Sequence, residues 1–326
     1  MKSLSLDYLD DDAAVASPER TLGVVALAGV AEADLSIGLL PIGSLPIGLA
    51  SLPPATAGGV REVWRSAQAV ERRGVIEGVR FARAGGLLFG TLRQPLAAGG
   101  AAAAARSAYR AMFELVEREG CPHLWRVSNY LPGITRVEGG EERYRAFNAG
   151  RRQAFAARNR GAEQAPAACG LGCDGNALLM FFLAGDEPGR HIENPRQTSA
   201  FRYPEQYGAS RPMFPRATMV AGMLFISGTA SIVGHESRHV GDAALQTDET
   251  VRNIDAVLAE ARQAGRAFRR EDLRLKVYLR HADDLAVVQE RLRAAGFASP
   301  AAFLQAEICR PELDVEIEAH APWRVG

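Results

Sequence analysis

Two periods organise the apolar positions along this chain. Where apolar residues recur every three or four positions they predict amphipathic helices, over Ala101–Arg118, Glu141–Asn159, Asp248–Gln263 and Asp283–Ala294. Asp248 is placed to cap the third of these, because a short carboxylate accepts hydrogen bonds from the unpaired N–H groups of a first turn. Short apolar or alternating runs bounded by glycine and proline predict strands at Leu22–Val30, Leu87–Leu92, Leu124–Tyr130, Leu178–Leu183, Met219–Ser227, Leu273–Arg280 and Leu313–Ala319. The stretch from Leu35 to Pro54 is apolar enough to raise the question of a membrane span. Pro41, Pro46, Pro53 and Pro54 interrupt it, and proline breaks helices by removing a donor and clashing with the preceding turn. It reads as buried strand and loop.

The pattern repeats. Gly86-Leu-Leu-Phe-Gly90 is similar to Gly222-Met-Leu-Phe-Ile226, and Leu124–Tyr130 corresponds in placement to Leu273–Arg280. Pro166-Ala-Ala-Cys followed by Ala177–Leu183 corresponds to Pro300-Ala-Ala-Phe followed by Glu312–Glu318. A period near half the chain argues for duplication of one α/β unit, not for a solenoid. The expected fold is α/β (α+β): two tandem units, each a mixed sheet with helices on one face, divided as 1–190 and 191–326. Counted from Pro166 and Pro300, Phe182 falls where Glu316 falls. An acid in the second half thus matches an aromatic in the first, which assigns any reaction centre to the second half and leaves the first degenerate.

Composition narrows the function classes. The 326 residues carry 38 Lys+Arg against 38 Asp+Glu and contain 47% hydrophobic residues. That balance leaves no electrostatic footprint for a nucleic-acid partner. The N-terminal MKSLSLDYLDDDAAVA is acidic and lacks the apolar core of a signal peptide, so a cytoplasmic protein without a membrane partner is expected. Of the four cysteines, Cys121, Cys169, Cys173 and Cys309, two lie in CGLGC, whose three-residue gap differs from the CxxC of redox and zinc sites. They read as reduced structural thiols.

Several residues bear on chemistry. Asp314, Glu316 and Glu318 share one face of a predicted strand, with Val315 and Ile317 on the other. Either the acidic face is wet, or the aromatic partner position marks it as buried, in which case a glutamate there keeps its proton near neutrality. From Asn194 to Arg216 the chain holds four arginines, two tyrosines and four prolines. Arginine forks grip carboxylates, so this segment is either a polar linker or the cap of a pocket for a dianionic ring. His235-Glu-Ser-Arg-His239 spells HEXXH, but zinc binding by that motif needs a helix, and Gly234 and Gly241 bracket it as a polar loop. Gly170-Leu-Gly-Cys-Asp-Gly175 spells GxGxxG but precedes a strand instead of following one, which reverses the dinucleotide-binding context. No GxSxG elbow occurs.

The stretch Gly222–Ala230, then Gln246–Leu258, Leu273–Arg280 and Val315–Glu318 resembles the reactive-intermediate deaminase (YjgF-like) superfamily. Ser128–Ile134, Arg143–Arg151, Asn194–Ala200, Tyr203–Gly208, Ile226–Glu236 and Ile308-Cys-Arg310 together resemble its two-unit members, the chorismatases of the 3-hydroxybenzoate synthase type. The resemblance implies a chorismate substrate, no cofactor and no metal. It implies Glu316 as general acid, and Arg216, Tyr203, Tyr207 and, by its strand, Arg280 as substrate-binding residues. Cys309 matches the cysteine of the benzoate-forming branch, while Ala230 sits near a position where that branch is smaller, so the product signature is mixed. The implied reaction gives 3-hydroxybenzoate, with or without 4-hydroxybenzoate, and pyruvate, for secondary metabolism. The alternatives are a hydrolase giving 3,4-dihydroxycyclohexa-1,5-diene carboxylate and pyruvate, an imine deaminase, and a non-catalytic ligand-binding protein. Pro300-Ala-Ala-Phe303 lacks the arginine the deaminases use there. The superfamily implies a monomer or a homotrimer.

Overall fold

The computed structural model describes residues 4–10, 14–28, 45–51, 60–96, 99–297 and 301–323. Four N-terminal strands come first: β1 (Leu4–Asp10), β2 (Thr21–Ala28), β3 (Leu45–Ser51) and β4 (Val60–Ser66). The first repeat follows as β5 (Arg72–Ile76), β6 (Val79–Ala84), β7 (Leu87–Pro95), α1 (Gly100–Arg118), β8 (His123–Tyr130), the small hairpin β9 (Val137–Glu138) and β10 (Glu141–Glu142), α2 (Arg143–Ala157), β11 (Ala167–Leu171) and β12 (Ala177–Gly185). The second comprises β13 (Arg190–Ile192), β14 (Ala217–Val220), β15 (Met223–Ala230), the hairpin β16 (Ile232–Val233) and β17 (Glu236–Ser237), α3 (Ala243–Gln263), β18 (Arg274–Leu279), α4 (Leu285–Ala294), β19 (Ala301–Gln305) and β20 (Val315–Pro322).

The duplication is visible strand by strand. One sheet runs β11-β8-β12-β7-β6-β5, and the other contains β19-β18-β20-β15-β14-β13 in the corresponding order. In each repeat the end pair of this order (β11 with β8, β19 with β18) is parallel and the next pair (β8 with β12, β18 with β20) is antiparallel. Helices cover one face of each sheet. On α1, Ala101, Ala104, Ala105, Ala108, Met112 and Leu115 are buried at helical spacing, and they pack on Val127, Met180 and Phe182. On α3, Val251, Ile254, Val257, Leu258 and Ala261 do the same against Val277, Val315 and Ile317. The remaining faces of the two sheets pack on each other through Phe89, Tyr130, Phe181, Phe225 and Tyr278.

The N-terminal strands do not join the first repeat. They form the order β1-β4-β2-β3 and extend the second sheet by pairing β3 with β19. The division at 190/191 cuts β13 after its first residue, and a third piece, strands β1–β4, sits on the edge of the second sheet while β2 covers the first, with Gly23 against the Phe89 ring.

Other boundaries shift for local reasons. The third helix starts at Ala243, and its cap is Asp242, whose carboxylate accepts from the Leu245 N–H at 2.9 Å; Asp248 lies inside the helix. The predicted strand Met219–Ser227 is a hairpin, β14 and β15, because Ala221 and Gly222 adopt positive φ at its tip. Of the apolar stretch at 35–54, residues 45–51 form β3; the remainder, like Val30 and Pro300, lies outside the described residues. Among the described residues no helix is long and apolar enough to cross a membrane.

The register places the twin of Glu316 elsewhere than counting does. Glu316 pairs with Tyr278 of β18, and Leu179 pairs with Tyr130 of β8; likewise His320 pairs with Phe225 and Leu183 with Phe89. Leu179 therefore occupies the Glu316 position, while Phe182 points to the opposite face, into the α1 layer. Counting from the two Pro-Ala elements fails because the loop between β19 and β20, residues 306–314, is longer than the loop between β11 and β12.

Candidate active site

A cavity of about 400 Å³ opens between the two repeats. Its walls come from α2 (Tyr144, Arg145, Phe147, Arg151), β11 (Ala168, Cys169, Gly170), the 203–216 segment, β15 (Gly228, Ala230), loop 306–314 and Glu316 of β20.

Each wall has a local cause. The edge strand β11 is fastened to the second repeat: the Ala167 N–H donates to Thr218 Oγ1 and the Ala168 N–H to Ser227 Oγ, both at 3.0 Å. This holds Cys169 and Gly170 under the cavity. Loop 306–314 is pinned from several sides. Arg280 donates to the carbonyls of Leu313 (2.9 Å), Ile308 (3.1 Å) and Arg310 (2.8 Å), and Gln246 of α3 bonds the Glu312 carbonyl (3.1 Å) and Asp314 (2.9 Å). The Gly172 N–H donates to the Glu307 carbonyl at 2.7 Å. Cys309, Arg310 and Glu312 are thereby set in the cavity wall.

The acidic face of β20 is dry. Glu316 is 4% exposed and Glu318 1%, with His320 following on the same face. Asp314 precedes the strand and turns to α3 instead. Glu316 reaches its position through a bulge in β15 between Ile226 and Thr229. A Cβ on Gly228 in that bulge would stand 2.0 Å from Glu316 Oε1, so glycine lets the carboxyl sit where it does and a larger residue would displace it. Burial, reinforced by the Glu318 charge, pushes the Glu316 carboxyl up to about 8. Burial also acts on Glu318, but the charges of Lys276 and Arg126 outweigh it and hold Glu318 below the ordinary carboxylate range.

Basic and aromatic groups face this acid. Arg216 is buried; its Nη2 donates to the Thr198 carbonyl (2.8 Å) and to Tyr203 Oη (3.0 Å), and its Nε has no hydrogen-bond partner. Arg310 stacks over Tyr207 at 4.1 Å and Tyr203 at 5.3 Å, held by donation to the His235 carbonyl (2.9 Å) and Ser237 Oγ (3.1 Å). Burial, then the Glu316 charge, pushes the Cys309 thiol up to about 12. Tyr144 is raised well above its ordinary value, chiefly by burial. Four arginines (145, 151, 216, 310) thus line the cavity against three glutamates (142, 312, 316), one of which is neutral at neutral pH.

Residues 62–184 match the family described as "Chorismatase FkbO/Hyg5-like, N-terminal". The chain is 37% identical over 281 residues to a 3-hydroxybenzoate synthase of Streptomyces hygroscopicus, covering 81% of this chain and 82% of that protein. It is 38% identical to a chorismatase of Streptomyces rapamycinicus, covering 79% and 80%. The chain belongs to the chorismatase family. A chorismatase crystal structure superposes on 98% of both chains with a TM-score of 0.89 at 30% identity, so the family's two-unit α+β architecture runs through the whole molecule. As a member of that family the chain is an enzyme.

Of the residues singled out in the sequence, Glu316, Cys309, Arg216, Tyr203, Tyr207 and Ala230 all line the one cavity. Arg280 does not: its guanidinium is engaged by loop carbonyls, so it shapes the wall from behind. The HEXXH stretch runs from the turn of the β16–β17 hairpin through β17, not along a helix, and it props the site: His235 lies edge-on to Tyr207 at 5.9 Å while its carbonyl holds Arg310. GxGxxG forms the β11–β12 connection. Sequence reasoning missed Arg310, Cys169 and the α2 face. Tyr144, Phe147 and Arg151 recur at helical spacing, a polar-aromatic stripe where a core-facing helix carries aliphatics.

Proposed function

We propose that the enzyme converts chorismate to 3-hydroxybenzoate and pyruvate, with Glu316 as the proton donor. The observation that carries this reading is a buried carboxyl, pushed up to about 8 by its surroundings, inside a cavity lined by four arginines. The names of the Streptomyces relatives support the substrate.

Chorismate carries two carboxylates, an enol ether and a hydroxyl on the neighbouring ring carbon. Arg216, with an unengaged Nε, and Arg310, stiffened on two tyrosine rings, are suited to the carboxylates and orient the ring. Tyr203 and Tyr207 hold those arginines in place. Glu316 gives its proton to the enol ether methylene, and an oxocarbenium ion results. A positioned acid contributes about 10²–10⁴-fold to such a step. The ring hydroxyl then attacks the ether-bearing carbon, whose bond to the side chain breaks to release pyruvate, and the hydroxyl proton returns to Glu316. The resulting three-membered ring opens at the carbon that first carried the hydroxyl, and the proton on the neighbouring carbon passes to the oxygen as the ring becomes aromatic. No water is consumed, so the products together are isomeric with the substrate. Cys309 stays a thiol at neutral pH and acts beside Glu316 by size and hydrogen bonding, steering toward the aromatic product.

Purified protein is incubated with chorismate, pyruvate is followed through lactate dehydrogenase, and products are separated by chromatography. Equimolar pyruvate and 3-hydroxybenzoate are expected. The dihydroxy acid in its place makes the enzyme a chorismate hydrolase, and absence of pyruvate contradicts chorismate turnover altogether.

A further inference from the structure

Four charged side chains are sealed between the two sheets, and none of them lines the cavity. Arg126 comes from β8 of the first repeat, Lys276 and Glu318 from β18 and β20 of the second, and Glu62 from β4, which belongs to neither. Exposure is 4% for Arg126, 1% for Glu318 and zero for Lys276 and Glu62. The Lys276 ammonium lies 2.7 Å from Glu62 Oε2 and 3.1 Å from Glu318 Oε2, and Arg126 donates to the same Glu318 oxygen. Lys276 also donates to Tyr130 Oη at 3.3 Å, and Tyr130 shares a 2.7 Å hydrogen bond with its twin, Tyr278.

Such a cluster is a poor device for stability, since apolar side chains of the same volume often serve as well or better. Its placement is more telling. Glu318 follows Glu316 by two residues on one strand face, so their Cα atoms are about 6.6 Å apart. We propose, resting on the reading of Glu316 as proton donor, that Arg126, Lys276, Glu318 and the N-terminal Glu62 are positioning residues whose fixed charges set the pH range over which Glu316 keeps its proton.

The other groups around Glu316 leave this role to the cluster. Tyr278 lies directly across from it on β18, Cys169 beneath it on β11, Tyr144 on α2 and Cys309 on the loop; burial holds all four neutral. His320, next along the same face, is held neutral by burial as well. The cavity wall also carries four arginines and the acids Glu142 and Glu312. Glu318 is the anion that bears on Glu316, and Arg126 and Lys276 keep it ionised. At that spacing and an effective dielectric near 20, one full charge moves a titration by about one to two pH units.

The signs follow from charge alone. Glu318→Gln removes the repelling anion and bares two cations, so Glu316 titrates lower. Glu62→Gln leaves the cluster with a net positive charge and shifts Glu316 the same way by less, although Glu62 never meets the cavity. Removing Glu62 and Lys276 together, as Glu62→Leu with Lys276→Met, keeps the cluster neutral and leaves Arg126 paired with Glu318. Glu316 then titrates at or above its wild-type value.

The test follows the ¹³C shift of the Glu316 carboxyl in glutamate-labelled full-length protein without substrate, using Glu316→Gln to assign the signal. In parallel the alkaline limb of kcat/KM is measured with chorismate. The inference expects both midpoints to fall in Glu62→Gln and not to fall in the paired variant. Unchanged midpoints in folded Glu62→Gln, or a lowered midpoint in the paired variant, overturn it. Should Glu62→Gln not fold, the paired variant and Glu318→Gln carry the opposite-sign comparison between them, and shifts of the same sign overturn the inference. The carboxyl titration needs no turnover, so a protein inert toward chorismate refutes the substrate and leaves the charge inference to be judged on the carboxyl alone.

Discussion

Replacing Glu316 by glutamine exchanges an acidic hydroxyl for an amide of nearly the same shape, which makes its two consequences separable. The first is catalytic: without a proton to donate, pyruvate release falls by about 10²-fold or more. The second is thermodynamic and of opposite sense. A buried carboxyl whose proton affinity rises from the ordinary 4.5 to about 8 is held neutral by the fold. Below pH 4.5 it is protonated in both folded and unfolded chains and exacts no penalty. As pH rises the unfolded chain ionises and the folded one does not, and stability is lost at about 1.4 kcal/mol per pH unit until the folded group also ionises. At pH 7 the deficit is about 3 kcal/mol, which for a chain of this length is roughly 4–5 °C in Tm. Glutamine has no such dependence. Calorimetry of both proteins from pH 5 to 8 therefore shows a Tm gap in favour of Glu316→Gln that widens with pH, and the constant cost of burying the amide cancels in the slope. A gap independent of pH means that Glu316 is ionised in the fold, and near-normal turnover by Glu316→Gln removes it from the role of acid.

Gly228→Ala places a methyl where the Glu316 carboxyl sits, 2.0 Å from Oε1, so turnover drops by about 10²-fold or more while circular dichroism stays native; undiminished activity refutes the seat assigned to Gly228. Arg216→Lys loses the planar fork over Tyr203, and kcat/KM for chorismate falls by about 10–100-fold, mainly through KM; an unchanged KM excludes Arg216 from carboxylate binding. Cys309→Ala shifts the products toward the dihydroxy acid, and an identical chromatographic profile leaves Cys309 a structural thiol.

What could be read in the sequence follows its local periodicities. The duplication was legible because glycine-bounded strands and long helices repeat in order, and the two sheets reproduce that order strand for strand. The acid on β20 was legible because strand alternation isolates Glu316 and Glu318 from Val315 and Ile317. Its partner position was not, because a longer loop ahead of β20 breaks the count and pairing selects Leu179 in place of Phe182. Apolar strands carry no address, so nothing local attaches β1–β4 to the second sheet. The α2 stripe of Tyr144, Phe147 and Arg151 has a helical spacing that could have been read, whereas Cys169 reaches the cavity only when the repeats pack together, which no spacing within one repeat reveals. Arg280 shows the limit of reading arginine as an anion binder: the same fork serves three main-chain carbonyls.

The central claim is that the side chain at 316 meets its substrate as a neutral acid. Difference infrared spectroscopy between wild type and Glu316→Gln at neutral pH addresses it directly, by the carbonyl stretch of a protonated carboxylic acid. The account predicts that this band is present at pH 7 and disappears with a midpoint near 8. A carboxylate signature at pH 7, with the acid band emerging only near 4.5, would contradict it.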